Sequence, residues 1–334
     1  MNLRNLALLG LAIASMLMLN WLNSDREAIH QDNLLFPALK ENLLLLDKIE
    51  IKTFPESFTL LRKGEDWVLV EKYDYPVDFP ALSKLLNGLS VARLIEKKTS
   101  KPENFAALRL KDVSDEDSDS ILVSAIAPDF QFSVLVGKQA LSRSAQFIRI
   151  PDQNQVWLID EELDVGRDMI SWLNPIVINI ESEKITSVKQ YDASGSLLFH
   201  VELPDDKAVG EGASLTLKDI PSGRSLKYPS ITDELARSLV NVRFTDVSLH
   251  QPSRWKSPVK MVFGLNDGGS VSVTAEQMDG KRWLHLAIRD TQAGSGTIDS
   301  WDYEVSSYVF DDYTKELDDL LEDDPQDNPE DNPE

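Results

Sequence analysis

The sequence predicts an α+β fold: a unit of antiparallel strands with a helix packed on one sheet face, present twice and preceded by one transmembrane helix. Three observations carry this reading. Short segments alternate apolar and polar residues and are broken by tight turns, as half-buried strands are. A leucine stripe at helical spacing recurs 153 residues further on, with strands on both flanks. Residues 1–22 hold the one apolar run that approaches the thickness of a bilayer.

Along the chain, Asp47–Phe54 alternates through Ile49 and Ile51. Phe58–Leu61 and Trp67–Val70 follow across the turn Lys63-Gly64-Glu65-Asp66, which completes a three-strand meander. Tyr75-Pro76 leads into a helix with Leu82, Leu85, Leu86 and Leu89 on one side. Pro80 in its first turn is the start signal, and Asp78 or Ser83 offers a cap. Val91–Ile95 reads as the next strand, then Ile121–Ile126, Phe130–Val136 and Phe147–Ile150.

A shift of 153 residues places Tyr75-Pro76 on Tyr228-Pro229, Leu82 on Leu235, Leu86 on Leu239, Leu89 on Val242 and Val91 on Phe244. Upstream, Ile185–Val188 and Leu197–Val201 match the opening strands in kind. Downstream, Val259–Phe263, Ser270–Thr274 and Trp283–Ile288 match the later ones. The expected organisation is an anchor over 1–23, a first repeat over 24–172, a second over 173–322 and an acidic tail over 323–334. A last helix, Ser306–Leu321, would carry the stripe Val309, Tyr313, Leu317 and Leu320.

The anchor rests on Leu6–Leu22, 17 residues, which is roughly 25 Å of helix. A secretory signal peptide is the competing reading, and Ala12-Ile13-Ala14 resembles a cleavage site. Met16-Leu17-Met18-Leu19 prolongs the apolar run past it, which favours an uncleaved anchor. Arg4 and the α-amino group precede the run and Arg26 follows it. The short head is therefore expected in the cytoplasm, with the bulk of the chain periplasmic or extracytoplasmic on the inner membrane.

Net charge is −22, and Asp311–Glu334, with 12 acidic residues and one lysine, supplies half of it. The rest is only mildly acidic, which argues against nucleic-acid binding, since phosphates need neutralising. Asp323–Glu334 carries three prolines and no apolar side chain, a composition that cannot offset chain entropy. With no cysteine, disulfides, zinc-thiolate sites and lipidation at cysteine are excluded.

Chemistry is hard to find. His30, His200, His250 and His285 show no metal-ligand spacing, and no nucleophile elbow exists. Gly210-Glu211-Gly212 is a poor phosphate loop. Asp115, Asp117 and Asp119 have the opening spacing of a calcium loop, but Ser120 and Ile126 occupy its glycine and glutamate positions. No catalytic residue, cofactor or metal is assigned. A carboxylate-pair hydrolase stays open only because nothing selects a pair among 56 acidic residues. Possible interaction residues are Trp255, in the proline-bracketed loop His250–Pro258, Trp301, and the basic cluster Lys97, Lys98 and Lys101. For Trp255, packing over the sheet edge competes with an interface role.

Several of these residues also carry a family resemblance. They are Leu35-Phe36-Pro37, Trp67, Tyr75-Pro76-Val77-Asp78 with its leucine helix, and Glu96-Lys97-Lys98-Thr99-Ser100-Lys101-Pro102 followed by Phe105 and Leu108. Val136-Gly137-Lys138, Asp160 and Trp172-Leu173 complete the set. Together they resemble the bacterial family called domain of unknown function 4340. The resemblance implies a single-span envelope protein beside an ABC-type transporter, with no reaction and no catalytic residues to carry over. The resulting expectation is a non-enzymatic, membrane-anchored accessory or scaffold subunit of a transporter-like complex. A cell-wall or polysaccharide binding module using Trp255 and Trp301 is the alternative.

Overall fold

A computed structural model describes residues 33–141, 144–204, 214–289 and 297–322. The proposed anchor, His30, Gly210–Gly212 and the acidic tail lie outside them. Among the described residues no helix is long and apolar enough to cross a membrane. The fold is α+β, largely β, and divides after Leu173 into two compact units.

The first unit opens with a short helix α1 (Leu39–Asn42) and then β1 (Lys48–Lys52), β2 (Ser57–Lys63), β3 (Asp66–Leu69) and β4 (Tyr75–Pro76). In β1, Ile49 and Ile51 are fully buried, while Glu50 on the other face pairs with Lys48 and Lys52 at 2.9 and 3.3 Å. This is the period-2 alternation of a strand with one face in the core. The turn into β3 needs a left-handed residue, supplied by Gly64 at φ +68°. Helix α2 (Phe79–Val91) has Pro80 in its first turn and buries Leu82, Leu85, Leu86 and Leu89.

Next come β5 (Leu94–Lys97), the one-turn helix α3 (Phe105–Leu108), β6 (Ile121–Ala127), β7 (Phe130–Gln139), β8 (Gln146–Arg149) and β9 (Val156–Ile159). The nine strands form one sheet in the order β4-β3-β2-β1-β6-β7-β8-β9-β5. Every pairing is antiparallel. Gly137 in β7 explains one resemblance motif. A Cβ there would meet Leu110 Cγ at 2.8 Å and the Leu108 carbonyl oxygen closer still, so only glycine lets the α3 turn settle on the sheet.

The second unit contains β10 (Ile176–Ile178), β11 (Ile185–Tyr191), β12 (Leu197–Glu202), β13 (Thr216–Leu217), helix α4 (Ile231–Arg237), β14 (Val242–Arg243) and β15 (Asp246–Leu249). After these come β16 (Val259–Leu265), β17 (Ser270–Met278), β18 (Lys281–Arg289), β19 (Trp301–Glu304) and two short helices, α5 (Ser307–Asp311) and α6 (Leu317–Leu320). The sheet order is β13-β12-β11-β16-β17-β18-β19-β15. With β11, β12 and β13 in place of β1, β2 and β3, β16–β19 in place of β6–β9, and β15 in place of β5, the two orders coincide over eight strands, and β4 at the edge of the first sheet has no counterpart. Even the small side pairing recurs: β10 pairs with β14, as Leu34 bridges Arg93 in the first unit. Helix α4 lies against β11, and its Thr232 hydroxyl donates to the Leu215 carbonyl at 2.7 Å.

The expected helix Ser306–Leu321 is two helices instead. Between them, Tyr313 is fully buried. Its hydroxyl donates to the Ser238 carbonyl at 2.6 Å, and its own carbonyl accepts from Gln190 Nε2 at 3.0 Å. A carbonyl held by the sheet does not continue the helical ladder. The chain restarts at Glu316, whose capping box with Asp319 opens α6.

Candidate functional site

The strand register sorts side chains at the far end of the second sheet into two faces. Leu284 opposes Tyr303 and, with Leu286, belongs to the core. One residue along, His285 opposes Asp302 and Trp283 opposes Glu304, so these four share the other face. On the neighbouring strand, Thr274 and Glu276 oppose His285 and Trp283 and join them. The loop His250–Pro258, which leaves β15, folds across this face.

The loop is pinned along its length. The His250 N–H donates to the Ser300 carbonyl at 2.9 Å. The Lys256 and Ser257 N–H groups donate to the two carboxylate oxygens of Glu276 at 2.8 and 2.9 Å. The Arg254 guanidinium sits 4.9 Å above the Trp283 ring, a cation–π contact. Trp255 packs beside two imidazoles, its ring 6.4 Å from that of His250 and 6.3 Å from that of His285. The Trp255 indole N–H is buried, with no hydrogen-bond partner among the described residues.

Beneath the loop is a titratable cluster. Asp302 is 0% exposed and has no lysine or arginine as ion-pair partner among the described residues. His250 Nδ1 lies 2.5 Å from its Oδ1, and His285 Nδ1 lies 3.4 Å from the same oxygen and 3.2 Å from the Trp301 carbonyl. The two imidazoles stack, with centroids 3.6 Å apart and planes 21° from parallel. Both groups near His285 Nδ1 are acceptors, so that nitrogen carries a hydrogen, and the same holds for His250 Nδ1. Burial pushes the Asp302 carboxyl upward, but hydrogen bonds from His285 and His250 and their positive charge when protonated outweigh it. The carboxyl is held below its ordinary value.

Two imidazoles and a carboxylate are also a metal-type donor set, and the geometry decides against chelation. A metal ion lies in the plane of each imidazole it binds, and nearly parallel rings 3.6 Å apart do not aim their lone pairs at one point. Donors about 2.1 Å from one tetrahedral zinc ion lie roughly 3.4 Å apart, whereas His250 Nδ1 and Asp302 Oδ1 are at hydrogen-bond distance, 2.5 Å. As placed, the three side chains are joined by hydrogen bonds and ring stacking.

The first unit has a loop in the same topological place, following β5. The Lys98 N–H donates to the Val156 carbonyl at 2.9 Å and the Val156 N–H to the Thr99 carbonyl at 2.8 Å. Beyond it, Arg149, 2% exposed, lies 4.6 Å from the Phe105 ring and donates to the Leu110 carbonyl at 3.0 Å and to Asp112 at 2.5 Å. Here a permanent cation locks the covering segment.

A family model described as Domain of unknown function (DUF4340) matches residues 67–258, more than half of the chain. The chain belongs to this family. No curated protein and no solved structure matches it. The DUF4340 match takes in both covering loops and ends before His285 and Asp302.

Of the residues singled out in the sequence, Trp255 is half-buried and belongs to the clamped loop. Trp301 is 8% exposed, so its ring is no surface aromatic; it contributes its backbone carbonyl to His285. Lys97 lies 5.2 Å over the Trp157 ring and Lys98 pairs with Glu96 at 2.6 Å. The Lys101 backbone N–H donates to the Thr99 hydroxyl at 3.1 Å. Asp115, Asp117 and Asp119 are exposed, and the Asp117 carboxyl is held low by its hydrogen bond from Lys111. His200 sits beside Glu202 on β12, apart from the cluster, with burial holding its imidazole below the usual value. Sequence reasoning took His250 and His285 singly and missed Asp302. The one available signal was alternation along β18, which sets His285 opposite in sense to Leu284 and Leu286.

Proposed function

We propose that this chain is a non-enzymatic accessory subunit of a membrane complex, built from a duplicated α+β unit and docking partners through the loops that follow β5 and β15. The carrying observation is that both units hold this loop at the same place, pinned by side chains from the sheet beneath it. A recognition loop ordered before binding loses less entropy when it meets its partner. Partly exposed tryptophan beside arginine, as in Arg254-Trp255, is the composition of an interface hot spot. The matching strand orders support duplication as the origin of the two units. The anchor over residues 1–23 and the transporter-like partner complete the reading, drawn from the run Leu6–Leu22 and the family resemblance.

The absence of cysteine makes the test clean. A photo-crosslinker attached at Ser253→Cys in native membranes should capture permease or ATPase-bearing subunits, and the same probe at Ser194→Cys, in a turn of the same unit, should not. Capture of wall polymer alone, or of nothing, at both positions would overturn the accessory reading; the first result would favour the polysaccharide alternative.

A further inference from the structure

We propose that the His250–His285–Asp302 cluster is a proton-operated latch, in which double protonation of the stacked imidazoles releases the His250–Pro258 loop from the sheet. The argument is one of charge counting in a confined space. One imidazolium beside Asp302 makes a neutral pair. A second places two cations face to face at 3.6 Å with one carboxylate to serve both. Among the described residues, the other charged groups shown on this face are already engaged. Glu276 accepts the loop N–H groups, Arg254 lies over Trp283, and Lys281 pairs with Glu304 at 2.6 Å with Asp246 nearby. None of them is a spare anion for the second proton.

The two imidazoles are not equally free to leave. His285 is held within β18 between β17 and β19. His250 stands where the strand ends and the loop begins, so the loop yields. Trp255, packed against both rings, leaves with it. The first unit lacks this response, because Arg149 stays charged at every relevant pH. Histidine is the side chain whose charge generally changes between roughly pH 5 and 8.

The inference stands on the loop contacts alone and does not rest on the docking reading. Hydrogen exchange of the full-length protein should show the amides of residues 250–258 losing protection between pH 7.5 and 5.5, after correction for intrinsic exchange. Loop opening is expected to increase by up to about tenfold over this range. Residues 98–110 should not change. His285→Gln, which removes the second charge and keeps a polar side chain, should abolish the acid response while leaving protection at pH 7.5 within about threefold. Equal protection of 250–258 at both pH values in the unmodified protein would overturn the latch. So would an acid response that survives in His285→Gln. Neither result would touch the crosslinking test.

Discussion

Replacing Asp302 by asparagine is the most direct test of what holds the loop down. The substitution keeps size and one acceptor but removes the charge. The His250 contact, at 2.5 Å, is a hydrogen bond to a buried carboxylate, a type that contributes about 1.5–3 kcal/mol. The second carboxylate oxygen faces the Gln251 N–H at 3.5 Å. An asparagine that keeps its oxygen on His250 turns its amide hydrogens toward that donor, so no orientation satisfies both sides. A loss of about 2 kcal/mol follows. With a urea dependence of about 2 kcal/mol per molar, the unfolding midpoint of the second unit should fall by about 1 M at pH 7. The transition of the first unit should not move. The sign with pH is fixed by the depressed carboxyl. Its contribution is complete above the ordinary value of 3.8 and is lost as pH falls through the lower folded value. The unmodified protein and the variant should therefore converge only in strong acid. Midpoints agreeing within about 0.2 M at pH 7 would show that the buried carboxylate does not hold this face together.

Two further substitutions test the framework around the sites. Gly137→Ala pushes a methyl group into the Leu108 carbonyl and the Leu110 side chain; it should cost about 2 kcal/mol, lower the first unit's thermal midpoint and loosen the amides of residues 105–110. An unchanged midpoint would mean the α3 turn gives way freely. Tyr313→Phe leaves the Ser238 carbonyl without its 2.6 Å donor in a fully buried site; circular dichroism melts of the second unit should show a loss of about 1–2 kcal/mol, and no loss would mean that water replaces the hydroxyl.

How much of this was legible in the sequence depends on whether a signal is local. The alternation of Ile49 and Ile51, the Lys63–Asp66 turn and the leucine stripe of α2 each lie within a few residues, and the strands and helix stand where those patterns put them. β9 escaped notice because Val-Trp-Leu-Ile is an unbroken apolar run with no period to read. The C-terminal helix was over-extended for a different reason. The stripe Val309–Leu320 has helical spacing, but the competing acceptor and donor at Tyr313 come from Ser238 and Gln190, far away in sequence. The cluster is the extreme case. His250, His285 and Asp302 are carried by three separate segments, and only the β18–β19 register brings them together. Histidines weighed singly read as ordinary strand residues, and a buried aspartate has no local signature at all.

The two covering loops then make the most informative comparison within the molecule, because the same topology is locked by different chemistry. In the first unit, Arg149 binds backbone carbonyls and Asp112 with a guanidinium that holds its proton throughout the physiological range. In the second, the covering segment is held by a carboxylate shared between two imidazoles, the side chains whose charge changes most readily near neutrality. If the clamp served stability alone, a second arginine would serve as well and would add no dependence on pH. Placing the titratable lock under the loop that carries Trp255 couples the ordering of that surface to the proton concentration around it. A partner that reads the ordered loop would then bind the second unit more weakly in acid, while its grip on the first unit would stay constant.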